Sequence, residues 1–261
     1  MTPTTLWRLE WARLVRTHQL LALGALFLLL GLCLPILTAN LAWLLERSPD
    51  TRDLAATLPS ATPAEGIAAY TAQIAQLGLL VLIIGAAGPL CPYARNQPAS
   101  YVWALGRGHR RGRLPALAAI VLPRFLARAA WAVAAFLLGL GGAWYETAVL
   151  IGAPDPARLL AGALLGSLYL VWAIAVVAVI GAWASSAAVT ASMAVLAVLL
   201  TGIAEIVPGA GRAMPTRLIE APGELLRGAE LTSYLPAAGV AVALTAGLVI
   251  AASALLDRRE L

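Results

Sequence analysis

Residues 159–183 read LLAGALLGSLYLVWAIAVVAVIGAW, without one charged side chain. A helix needs about 20 residues to cross a hydrocarbon layer roughly 30 Å thick, and this run is long enough. Lipid offers the backbone no hydrogen bonds, so the run is predicted to be helical throughout. Five further apolar runs share the chain with it, at about 19–45, 67–90, 127–147, 188–206 and 234–256. The expected fold class is therefore all-α: a polytopic membrane protein with six transmembrane helices in one undivided domain, 1–261. Composition points the same way. Hydrophobic residues make up 61% of the 261, charged residues 12%, and mean hydropathy is +0.85, more apolar than a soluble chain can shield with a polar exterior.

Within the fourth run, Gly162 and Gly166 make a small-xxx-small pattern suited to close helix packing. Ala184-Ser-Ser-Ala187 then forms a tight turn into the fifth run. On its other side, Asp155 stands between Pro154 and Pro156 in a short loop. In the first run, Gly24 and Gly31 lie seven apart and mark a face for close contact, and Pro35 is expected to bend its far half. The second run carries Gln73 and Gln76 near its outer end and stops at Pro89-Leu-Cys-Pro92. Residues 207–233 are broken by Pro208, Pro215 and Pro222. They are expected to form an outer cap or shallow re-entrant hairpin, with a short helix over Gly223–Leu231. Cys33 and Cys91 fall at different depths, so two free thiols are expected rather than a bridge.

Ahead of the first run, residues 4–18 repeat Trp7, Trp11, Leu14, Val15 and His18 at helical spacing, with Arg13 and Arg16 on the other side. Tryptophan facing one way and arginine the other suits a helix lying among lipid headgroups. Trp7, Trp11, Arg13 and Arg16 are its expected membrane-interface residues. The apolar run that follows is too long for a signal peptide and has no Ala-x-Ala site behind it, so it is expected to be retained.

The largest polar interruption is the loop 93–126, which opens YARNQPASYVWALGRGHRRGR at residues 93–113. Between Tyr93 and Arg128 the chain has seven arginines and no acid. All 18 basic residues of the protein are arginine. With six spans, twelve arginines fall on the side of the termini and this loop, against six on the other side. That asymmetry places both termini and the loop in the cytoplasm. Arg124 and Arg128 are expected at the inner headgroups, snorkelling where necessary. An arginine at the bilayer centre costs about 2.5–3.5 kcal/mol on the insertion scale, and this arrangement puts none there.

Catalytic chemistry finds little to stand on. Without lysine there is no phosphate-binding P-loop and no Schiff-base amine. His18 and His109 are the only histidines and have no partner at metal-ligand spacing. No Gly-x-Ser-x-Gly or His-Glu-x-x-His motif occurs. Glu205, at the outer end of the fifth run, is the one acid adjoining a span, and reads as an interfacial anchor more readily than as a proton site. Catalytic, cofactor-binding and metal-ligating residues are accordingly expected to be absent, and so is binding to nucleic acid. A bundle with so few intramembrane ionisable groups has little with which to use an ion gradient.

The arginine loop has a topogenic reading, in which its charge only fixes orientation. It also holds Tyr101, Val102, Trp103 and Leu105, a bulky apolar set that a short amphipathic helix would present to a groove on a partner. At this point the layout resembles the permease subunit of type-2 ATP-binding-cassette exporters. The shared features are an interfacial helix, a long second-to-third loop, a tight fourth-to-fifth turn, a Pro-broken segment before the last span and the tail Asp257-Arg-Arg-Glu-Leu261. In that family the second-to-third loop carries a coupling helix. The resemblance implies that Arg95, Tyr101, Val102, Trp103, Leu105, Arg107, Arg110 and Arg111 contact a separate nucleotide-binding ATPase subunit. The acid that the family places before the first arginine is missing here, as are its glycine-threonine pair and later proline. The resemblance further implies pairing with a second permease copy or paralogue. ATP would be bound by the partner, so no cofactor is expected on this chain, and a hydrophobic or amphiphilic substrate would cross a bacterial cytoplasmic membrane. A non-transporting membrane anchor or assembly subunit, and a secondary transporter, are the competing expectations.

Overall fold

The computed structural model describes residues 11–12, 19–47, 60–91, 121–204 and 211–259. Among them there is no strand, and six helices are long and apolar enough to cross a membrane. These spans are Gln19–Ala39, Pro63–Leu90, Leu122–Leu150, Pro156–Trp183, Ala187–Ala204 and Leu235–Arg259. The protein is an all-α polytopic membrane protein.

Several element bounds differ from expectation for local reasons. The first run is not one helix to residue 45. It stops at Ala39, Asn40 leaves helical geometry (φ −104°, ψ 8°), and Leu41–Glu46 forms a separate short helix. Pro35 supplies no N–H, and polar side chains cover the carbonyls nearby. The Thr38 hydroxyl donates to Leu34 O (2.9 Å) and the Asn40 amide to Ile36 O (2.8 Å). The third span starts at Leu122, five residues before the expected 127, so residues 122–126 belong to the helix and not to the loop 93–126. Pro123 sits in its first turn, where a missing N–H costs nothing. The fourth span starts at Pro156 because the Asp155 carboxylate accepts from the Ala157 N–H at 2.9 Å, a side-chain N-cap.

Close packing follows the small residues. A Cβ on Gly31 would overlap the Gly139 carbonyl oxygen, and one on Gly139 would overlap the Phe27 carbonyl oxygen and the Tyr70 hydroxyl. The first and third spans thus touch backbone to backbone, where van der Waals contact rather than hydrophobic transfer drives association in lipid. Gly24 lies by Leu138 and Gly142 by Leu28 and Leu32, so these two helices run the same way. The second span runs opposite to the third: Tyr70 stacks on Phe136 with centroids 5.9 Å apart, while Gly85 faces Trp131. The buried Tyr70 hydroxyl donates to Phe136 O at 2.9 Å.

The Pro-broken segment is a folded cap. It consists of 3-10 turns at Gly211–Ala213, Pro215–Ile219 and Leu231–Tyr234 around a helix Ala221–Leu226. That helix begins earlier than the expected Gly223–Leu231 and is closed by Gly228 in the left-handed region (φ 102°). Leu218, Ile219, Ala221 and Leu225 are buried. A Cβ on Gly162 would overlap the Pro222 Cα, and Gly223 lies on Ala68, so the cap seats on the fourth and second spans at one end of the bundle. Arg158 donates to Leu225 O (3.4 Å) and Arg217 lies over the Tyr234 ring at 5.5 Å.

Candidate functional site

The end of the bundle opposite the cap holds both flanks of the arginine-rich loop. Most of the loop lies outside the described residues, including Arg95, Tyr101, Val102, Trp103, Leu105, Arg107, Arg110 and Arg111. So do Trp7, Arg13, Arg16 and Glu205, whereas Trp11 is described as helical and half exposed. On the incoming flank, a Cβ on Gly181 would overlap the Leu90 carbonyl oxygen. The next residue, Cys91, is fully buried and its thiol donates to Ala184 O at 3.4 Å. Ala184 closes the fourth span by donating its N–H to Ile180 O (2.7 Å), just before the Ser185-Ser186 turn, where Ser186 Oγ accepts from the Val189 N–H (3.2 Å) and caps the fifth. On the outgoing flank, Val121, Pro123 and Phe125 are buried in the core. The described residues on either side, Leu90–Cys91 and Val121–Phe125, are thus anchored among the second, third and fourth spans. Cys33, by contrast, is exposed on the first span.

Arg124 and Arg128 depart from expectation. Neither snorkels: they are 4% and 1% exposed, enclosed by protein within the third span. They stand four apart on one helix face with Trp131 three further on, and the Arg128 guanidinium lies 5.6 Å from the Trp131 ring centre. The Trp131 indole N–H finds no acceptor among the described residues. Sequence reasoning put the start of the helix at 127, so Arg124 fell in the loop and Arg128 at the first turn of the span, both at the headgroups. Pro123 was the available signal, since proline favours the first turn of a helix as well as its end.

The second span holds a feature that sequence reasoning placed wrongly. Gln73 and Gln76 do not lie near its outer end. The helix starts at Pro63, which puts Gln76 midway along its 28 residues. There the chain widens into a π-turn, Ile74–Gly78, with Gly78 packed under the Phe27 ring. Gln76 is exposed on this turn and Gln73 is half-buried one turn away. Moving an amide from water to hydrocarbon costs about 4–8 kcal/mol when nothing bonds it. π-turns inside helices gather at functional positions. The first span packs chiefly on the half of the second span before this turn and the fifth on the half after it, and both are themselves sparsely buried.

No group of three or more metal-ligating side chains is found among the described residues. Compared with known proteins, the chain matches no protein family model, no curated protein and no solved structure.

Proposed function

We propose that this protein is the permease subunit of an export system driven by a separate ATP-hydrolysing subunit. It would move a hydrophobic or amphiphilic substrate across the cytoplasmic membrane of a bacterium, with both termini and the arginine-rich loop in the cytoplasm. The observation that carries the reading is the burial of the two flanks of the arginine-rich loop, Leu90–Cys91 and Val121–Phe125. With Leu90 and Cys91 seated against Gly181 and Ala184, and Val121, Pro123, Arg124, Phe125 and Arg128 buried at the start of the third span, a pull on the chain between these flanks would act on three membrane helices. An ATPase gripping Tyr101, Val102, Trp103 and Leu105, with Arg95, Arg107, Arg110 and Arg111 around them, would have a stiff lever. A loop serving only to fix orientation needs arginines but not buried flanks. The chain itself binds no ATP in this scheme, and a second copy or paralogue would face the first, second and fifth spans, of which the first and fifth are sparsely buried.

Charge reversal at Arg107, Arg110 and Arg111 together is expected to release the ATPase subunit in co-purification, leaving the elution profile of the permease unchanged. Undiminished co-purification, or ATPase that is never recovered with the unmodified protein, would return the assignment to a membrane anchor or assembly subunit.

A further inference from the structure

The exposed face of the second span changes character at the π-turn. Towards the capped end it presents Glu65, Ala69, Ala72, Gln73 and Gln76, all exposed or half-buried and spaced to share one side of the helix. Towards the other end the exposed residues are Leu77, Leu80, Val81 and Ile84. Lipid tails bathe both halves of a helix alike, so a lipid-facing stripe has no reason to be small and polar in one half and bulky and apolar in the other. Irregular backbone at membrane depth is tolerated where protein covers it or where it lines water. The buried side of this turn is covered by Phe27 through Gly78, while its open side carries an amide with nothing over it.

We propose that this polar half of the second span lines a hydrated vestibule, open at the capped end and closed at mid-membrane by Gln76. Water in the vestibule solvates the Gln73 and Gln76 amides, and the Glu65 carboxylate, which also accepts from the Thr62 N–H at 2.8 Å, stands at its mouth. Below Gln76 the wall is apolar, so water stops there. Gln76 is then the deepest group able to exchange hydrogen bonds with the polar part of an amphiphile passing along this face. Water access is a property of the bundle itself and is independent of whether an ATPase drives it.

Single cysteines test this in the full-length protein carrying Cys33→Ser, since Cys91 is buried. Ala69→Cys, Ala72→Cys, Gln76→Cys, Leu80→Cys and Ile84→Cys are treated in membranes with a charged, impermeant methanethiosulfonate, applied to each side in turn. The expected result is that positions 69, 72 and 76 react at least tenfold faster than 80 and 84, and only from the capped side. Equal rates at 76 and 84 overturn the proposal, because both would then face lipid. So does a Gln76→Cys protein that excludes the reagent from both sides, because water would then not reach this turn. If Gln76→Cys does not fold, Ala72→Cys against Ile84→Cys decides in the same way.

Discussion

The first and fourth spans have the same mean hydropathy, 2.5, yet 28% of the first is buried within the protein and 72% of the fourth. A hydrocarbon chain and a neighbouring leucine are equally apolar, so hydropathy measures entry into the membrane and nothing about what a helix meets there. Small residues make the difference. The fourth span carries Gly162, Gly166 and Gly181, which receive the cap, the Phe136 ring and the end of the second span, and its middle from Trp172 to Ala178 is buried without a break. The fifth span is just as rich in alanine and valine but is only 17% buried, and Leu196, Leu199, Leu200 and Ile203 are exposed along it. The molecule thus has a fixed half, made of the third and fourth spans with the cap, and an open half whose faces await lipid, water or a partner.

The sharpest way to break this contrast is to enlarge the contact by which the first span meets the fixed half. Gly31→Leu places a side chain against the Gly139 backbone, which cannot yield, and a loss of about 3 kcal/mol or more is expected. The readout is disappearance of monodisperse protein in detergent. Gly247→Ala in the sixth span, where a Cβ meets nothing, should leave the yield unchanged. Next in size, Gly162→Val should unseat Pro222 and with it the cap. Limited proteolysis between residues 211 and 234 should speed up several-fold while the remaining spans stay intact. Tyr70→Phe removes only the hydroxyl that donates to Phe136 O, at a cost of about 0.5–1.5 kcal/mol in unfolding midpoint measurements. The smallest effect belongs to the open half. Leu200→Ala should change monomer stability by less than about 0.5 kcal/mol. A large destabilisation there would mean that this face is already covered in the isolated protein.

Much of the architecture was legible because its causes are local. Apolar runs predicted the spans, and Pro208, Pro215 and Pro222 predicted a broken segment, now seen as a cap over its described residues. Gly162 and Gly166 predicted close contacts but not their partners, Pro222 and Phe136. The errors arose where depth or facing mattered. Arg124 and Arg128 look like headgroup anchors in a linear reading because enclosure depends on which helices surround them. Gln73 and Gln76 looked peripheral because the helix starts four residues earlier than the apolar run does, at Pro63.

By itself, then, the sequence determined that this chain is a bundle of membrane helices and where its prolines and acids interrupt them. Those outcomes depend on transfer free energy and backbone geometry, which act residue by residue. The tertiary structure alone decided which helices form the centre, that two arginines are sealed inside, that Cys91 and Val121 are buried in the core, and that an amide stands exposed midway along the second span. Each of these depends on side chains far apart in the chain meeting or failing to meet, and hydrophobicity makes no distinction between an apolar face turned to protein and one turned to lipid.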